Sequence, residues 1–144
     1  MLKWIDLPPI WLLGFILLAW WASPGQSGAP LALSGGVLVL AGLALMVWAV
    51  FEMARAKTTV IPHLHASALV TTGPFRFTRN PIYLGDALVL AGLLLRWQLW
   101  WALPFVAVFV WLITRRFILH EEQRLTEDFG SAFEEWCSKT RRWL

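Results

Sequence analysis

Apolar and polar positions separate into long blocks along this chain instead of alternating. From Leu7 to Phe51 no side chain is charged. A helix needs roughly 20 apolar residues to cross about 30 Å of hydrocarbon, and residues 7–22, 30–51 and 97–114 approach or meet that length. A fourth run, 81–95, is shorter and carries Asp86; by hydropathy alone it reads equally as a buried or re-entrant helix. The cations favour a span. Lys3, then Arg55, Lys57, Arg76 and Arg79, then Arg115, Arg116, Arg124, Lys139, Arg141 and Arg142 form groups, with only Arg96 apart. If 81–95 crosses the bilayer, every cation but Arg96 falls on one side, which the positive-inside rule makes cytoplasmic. The expectation is an all-α integral membrane protein with four transmembrane helices, a single domain over 1–144, and both termini in the cytoplasm. The third and fourth spans, joined by a residue or two around Arg96, are expected to form a tight antiparallel hairpin.

Turn and breaker residues mark the edges of these blocks. Pro8 and Pro9 open the first helix, where a missing amide donor costs little. The run SPGQSGA reads as a loop on the outer side. Gly35, Gly36 and Gly42, with Ala41 and Ala44, give the second span small faces for close helix approach. Beyond Thr114 the composition changes: the tail 115–144 carries six acids between Glu121 and Glu135, with Leu125, Phe129, Phe133 and Trp136 near helical spacing. This predicts an amphipathic helix on the cytoplasmic face, bent near Gly130. Lys3 ahead of an apolar run also fits a cleavable leader with a small-residue site near Ala22, but cleavage would leave three spans and strand the remaining charges.

Composition narrows the chemistry. Of 144 residues 58% are hydrophobic and eleven are tryptophan, as aromatic belts at membrane interfaces require. The formal charge of +3 describes orientation; no basic stretch with interleaved aromatics offers a base-stacking surface, so no nucleic acid partner is expected. Cys137 is the sole cysteine and makes no internal disulfide. His63 and His65 lack a third ligand, and no metal is expected. No glycine-rich strand-to-helix loop or P-loop is present, which excludes a soluble nucleotide-binding domain of those types.

The polar edge TTGPFRFTRNPIYLG is the stretch with most chemistry. Its plain reading is a helix start: Gly73 and Pro74 turn the chain, Asn80 caps, Pro81 takes the first helical position, and Arg76 and Arg79 mark the boundary. Likewise Glu121 and Glu122 read as a solvated face neutralised by Arg115, Arg116 or Arg124, and Asp86 as the partner of an arginine near the headgroups. The ordered set says more. LVTTGPFRFTRNPIY at one helix entrance, then a hairpin, then HEEQRL…FG…W…RRWL at its exit resembles the isoprenylcysteine carboxyl methyltransferase family and the wider membrane phospholipid-type methyltransferases. The likeness covers roughly residues 55–144. The family pattern Arg-His-Pro-x-Tyr-x-Gly followed by Glu-Glu stands here as Arg79, Asn80, Pro81, Ile82, Tyr83, Leu84 and Gly85, then Glu121 and Glu122, with Asn80 in place of the histidine.

The resemblance implies S-adenosylmethionine as cofactor and a lipophilic small-molecule or prenylated substrate, met beside membrane lipid at the cytoplasmic interface. It implies cofactor contacts from Leu69, Val70, Phe75, Asn80, Pro81, Tyr83 and Glu121. Chemically, Glu121 suits the cofactor's ammonium, Asn80 offers donors and an acceptor, and Tyr83 offers a hydroxyl and an aromatic face to a cation. Arg79 and Glu122 are candidate catalytic residues, either touching the ligands or pairing to close the site, and Arg116 is a candidate for an acidic substrate group. A carboxylate acceptor is ionised near neutral pH and needs no base, whereas an amine must lose a proton, and no side chain is an obvious base for that. Carboxyl O-methylation is therefore expected, and the resemblance implies an isoprenylcysteine-like substrate for it. The alternatives are N-methylation of a phospholipid or small lipophile, and a small four-helix membrane transporter using Asp86 or Glu52.

Overall fold

A computed structural model describes residues 7–22, 29–59 and 65–144, and among them every regular element is helical. Helix α1 spans Pro8–Trp21, α2 Ala29–Arg55, α3 Pro81–Arg96, α4 Pro104–Ile113, α5 Leu119–Phe129 and α6 Ser131–Lys139. Short 3₁₀ turns at Gly73–Arg76 and Trp100–Ala102 lead towards α3 and α4, and a π turn, Thr114–Ile118, joins α4 to α5. Residues 23–28 of the SPGQSGA run and His63 lie outside the described residues.

Proline sets the helix starts. Pro8 and Pro9 follow Leu7, which is extended at φ −118° and ψ 141°, as a residue before proline must be. Pro81 and Pro104 likewise sit at the first helical positions of α3 and α4. Asn80 does not cap α3 with its side chain, contrary to expectation. Its amide nitrogen Nδ2 donates to the carbonyl of Arg142 instead, at 2.9 Å, because the returning tail offers a fixed acceptor.

Two helical stretches, Ala32–Arg55 and Trp100–Phe129, are long and apolar enough to cross a membrane, while Pro8–Trp21 is a shorter apolar helix. Their outer faces are strongly apolar and uncovered: Trp21 is 82% exposed, Leu33 74% and Val47 70%. A patch of that kind marks a surface that meets lipid or another protein. Helix α3 is the opposite. Pro81, Tyr83, Gly85, Asp86, Ala87, Val89, Leu90, Gly92 and Leu94 are all buried, so this short run is the centre of the bundle, with α1, α2 and α4 packed around it.

The most extensive packing is between α2 and α3, not between the third and fourth helices. It rests on two glycine pairs. A methyl group on Gly35 would lie 2.4 Å from the Gly92 carbonyl oxygen, and one on Gly92 2.6 Å from the Gly35 oxygen. Seven residues along, a methyl on Gly42 would meet the Gly85 oxygen at 2.6 Å, and one on Gly85 the Met46 Cγ at 2.4 Å. Spacing by seven returns to the same helix face after two turns, so the antiparallel backbones touch at both points, as small-residue seams allow. The tight 3–4 hairpin expected around Arg96 is in fact a longer link, since Trp97–Leu103 separates α3 from α4.

The predicted boundary at Thr114 is not a helix end. The helix continues through the π turn into α5, and Leu119 N–H bonds back to the Thr114 carbonyl. A π turn accommodates one residue more than an α turn. Plain α-helix here would place Glu121 and Glu122 about 100° further round the axis. The tail then bends where expected: Gly130 adopts φ 51° between α5 and α6, a conformation costly for other residues.

Candidate functional site

One cavity of about 760 Å³ lies where the first turn of α1, the end of α2, the 65–75 segment, the start of α3, α5 and α6 meet. That size is typical of a small-molecule site. All nine residues singled out from the sequence line it: Leu69, Val70, Phe75, Arg79, Asn80, Pro81, Tyr83, Glu121 and Glu122. The elements bring them together across a wide sequence gap because α3 enters and the α4–α5 helix leaves at the same end of the bundle.

The polar side has a definite wiring. The Tyr83 hydroxyl donates to Glu121 Oε1 at 2.7 Å, which holds that carboxylate towards the cavity. Glu122 is committed elsewhere. It accepts two hydrogen bonds from Arg142, Nε to Oε1 at 2.9 Å and Nη2 to Oε2 at 2.6 Å, and Arg79 Nη1 lies 3.3 Å from Oε1. A fork of this kind is the strong form of the ion pair. The hydrogen bond to Glu122 raises the Arg142 pKa from its already high value. Of the two roles open for Arg79 and Glu122, the geometry presents the pairing one.

Arg142 belongs to a strap that sequence reasoning did not assign. After α6, residues 141–143 run back along the entrance to α3. Arg79 N–H donates to the Arg141 carbonyl at 2.9 Å, Thr78 Oγ1 to the Arg142 carbonyl at 3.2 Å, and Trp143 Nε1 to Thr114 Oγ1 at 3.1 Å. The RRWL run was the available signal, but its partners lie between 20 and 64 residues away. Cys137 accepts a hydrogen bond from Arg79 Nη1 through its sulfur.

The other wall is apolar and aromatic. Val70, Phe75, Phe133 and Trp136 form one buried cluster with Leu69 packed on it, and Trp136 Nε1 donates to the Phe75 carbonyl at 3.2 Å. Phe133 and Trp136 were legible only as an amphipathic stripe. At the bundle side, Pro8, Pro9, Met46 and Met53 complete the lining.

Several candidates lie elsewhere or behave differently. Arg116 stacks over Trp11, 5.4 Å from its ring centroid, and is not part of the cavity. Glu52 accepts from Thr72 Oγ1 at 2.7 Å and lies 3.5 Å from Arg55, so it anchors the loop beneath Gly73. His65 Nδ1 is 3.0 Å from both oxygens of Asp128. Asp86 is 2% exposed, and no arginine pairs with it among the described residues; its distance from the strap arginines is set by its place a turn further into α3. Two buried side-chain atoms among the described residues lack a hydrogen-bond partner, Arg79 Nε and Asp86 Oδ2. Both residues line this cavity.

These features fit S-adenosylmethionine as a ligand. The aromatic wall suits a flat base and the Glu121 carboxylate an ammonium. No curated protein and no solved structure matches the chain. The family model described as phospholipid methyltransferase matches residues 31–132, a span that includes the glycine seam, the whole of α3, and Glu121 and Glu122 of α5. The chain belongs to the phospholipid methyltransferase family, within the isoprenylcysteine carboxyl methyltransferase-type membrane methyltransferases.

Proposed function

We propose that the protein transfers a methyl group from S-adenosylmethionine to a lipophilic acceptor at the cytoplasmic face of a membrane. The observation that carries this reading is the convergence of Tyr83, Glu121 and an aromatic wall on one cavity at the polar end of the bundle. The bundle is read as four spans with both termini cytoplasmic. In support, the start of α1, the end of α2, the start of α3 and the exit of α5 all reach the same cavity.

When bound, the cofactor supplies an electrophilic methyl on a sulfonium. The chain's own contribution is placement and exclusion of water, which can lower a barrier by several kcal/mol or more. Glu121, fixed by Tyr83, takes the ammonium end. Leu69, Val70 and Phe75, with Phe133 and Trp136, hold the adenine. Asn80 and Pro81 shape the entrance. Arg79 and Glu122 act as positioning residues, locking the strap through Arg142 over the α3 entrance. The acceptor enters from the apolar side at Pro8, Pro9, Met46 and Met53. Its reacting group follows one of two readings: a carboxylate on an isoprenylcysteine-like chain, as the sequence resemblance implies, or an amine, which the orphaned acid Asp86 favours.

Calorimetry on detergent-purified protein tests the core of this. S-Adenosylmethionine is expected to bind saturably to wild type and about tenfold or more weakly to Glu121→Gln, the loss of one charge-assisted hydrogen bond. A folded wild type that binds no cofactor ends the proposal.

A further inference from the structure

The cavity contains four acids, and three are spoken for. Glu122 is held by two arginines, Asp128 by His65 and Glu121 by Tyr83. Asp86 is the fourth. It is 98% buried by its 2% exposure, Oδ2 has no hydrogen-bond partner, and the residue lines the cavity. It sits three residues beyond Tyr83 on α3, about 4.5 Å deeper along the axis, in a cavity whose lining also includes Pro8, Pro9, Met46 and Met53.

A buried carboxylate without a partner destabilises the helix that carries it. An aspartate serving the fold alone would have both oxygens bonded, as Glu122 has. Acids retained inside membrane helices mark ligand or proton pathways. The site already provides one acid for the donor's ammonium, at the mouth. A second acid, deeper on α3 and without a partner of its own, is left for the acceptor.

We propose that Asp86 is the acid–base residue that takes the proton of an amine acceptor, the second of the two acceptor readings above. This rests on the methyl-transfer reading above and replaces its carboxyl branch. A carboxylate acceptor would meet Asp86 as a like charge in a poorly hydrated space, which is repulsive. An ammonium meets it as a counter-ion. The steps balance: the acceptor ammonium gives one proton to the Asp86 carboxylate, and the freed nitrogen lone pair forms the new nitrogen–carbon bond. The carbon–sulfur bond breaks with its electron pair going to sulfur. The N-methylammonium product leaves, and Asp86 returns its proton to water. The missing base that made a carboxyl acceptor preferable on sequence grounds is thus Asp86.

The test is equilibrium binding in detergent, without turnover, of N-methyldodecylamine, dodecanoic acid and S-adenosylhomocysteine to wild type, Asp86→Asn and Asp86→Glu. The proposal expects wild type to prefer the amine over the acid. Asp86→Asn is expected to weaken amine binding about tenfold or more while changing S-adenosylhomocysteine affinity less than about twofold, and Asp86→Glu to recover part of the loss. An acid bound more tightly than the amine overturns it. So does an unchanged amine affinity in a folded Asp86→Asn, or a loss confined to S-adenosylhomocysteine, which would assign Asp86 to the donor. If Asp86→Asn does not fold, the wild-type preference and Asp86→Glu decide. Failure of wild type to bind S-adenosylhomocysteine would count against methyl transfer, whereas amine binding that depends on Asp86 would remain.

Discussion

The two ends of α3 are built on opposite principles. Along its length it meets α2 through Gly42, Gly85, Gly35 and Gly92, backbone against backbone, with no hydrogen-bonding side chain at the contact points. At its N-terminal end, Arg79, Asn80 and Tyr83 make hydrogen bonds to the tail and to α5. The seam has little room for an added atom because the nearest neighbours of Gly35, Gly42 and Gly92 are main-chain oxygens, which cannot swing aside. The polar end is made of side chains that can rearrange. Damage to the seam should therefore remove the fold, and damage to the polar end should remove a ligand or a latch while leaving the fold in place.

Gly92→Leu gives the largest expected effect. Its Cβ alone would lie 2.6 Å from the Gly35 oxygen and 2.8 Å from the Val39 nitrogen, so a loss of about 3 kcal/mol or more is expected from overpacking. Thermal unfolding in detergent measures it, and a midpoint equal to wild type would refute the seam. Glu122→Gln comes next. It leaves Arg79 and Arg142, partly buried, without their shared anion, and about 2 kcal/mol should be lost in the same unfolding assay. Methylation of the acceptor should fall with it, because the strap loosens.

Tyr83→Phe is smaller and separates the two regions cleanly. Removing the hydroxyl that holds Glu121 at 2.7 Å should weaken S-adenosylmethionine binding by about three- to tenfold, equivalent to one hydrogen bond. The unfolding midpoint should stay near that of wild type. A collapse of the midpoint instead would mean that this bond serves the bundle.

The smallest effect is at the outer face of α6. Glu135 pairs with Lys139, with both side chains mostly exposed, and the hydrogen bond to Lys139 lowers the Glu135 pKa below its usual value. A lowered carboxyl pKa contributes stability above the unfolded-state pKa and loses it as pH falls through the folded one. Exposed pairs contribute little, so Glu135→Gln should leave the unfolding midpoint unchanged at neutral pH and remove only a slight sensitivity in the acid range.

The sequence reveals these two regions unequally. The convergence of Arg79–Tyr83 with Glu121 and Glu122 was legible because a family-like order of residues brackets a helix turnaround. Half of the seam was legible in Gly35 and Gly42. The matching Gly85 and Gly92 were hidden, the first behind its place in a site pattern, because a contact between helices shows only when both partners are known. The central position of α3 was masked for a related reason: a helix enclosed by other helices can be short and carry Asp86, and hydropathy scores that as weakness. Arg142 and the π turn were not readable. One depends on a chain reversal dozens of residues away, and the other on tertiary constraints that no local pattern of residues encodes.

The turn at Thr114–Ile118 has a consequence for how the gene can change length. It stores one residue beyond what the axis requires, so losing a single codon there should straighten the turn and leave Glu121 and Glu122 aimed as they are. The same loss just before Gly85 meets no slack. It would swing the rest of α3 by about 100°, carrying Gly85, Asp86 and Gly92 away from their partners, so neighbouring segments of one protein should record insertions and deletions very differently.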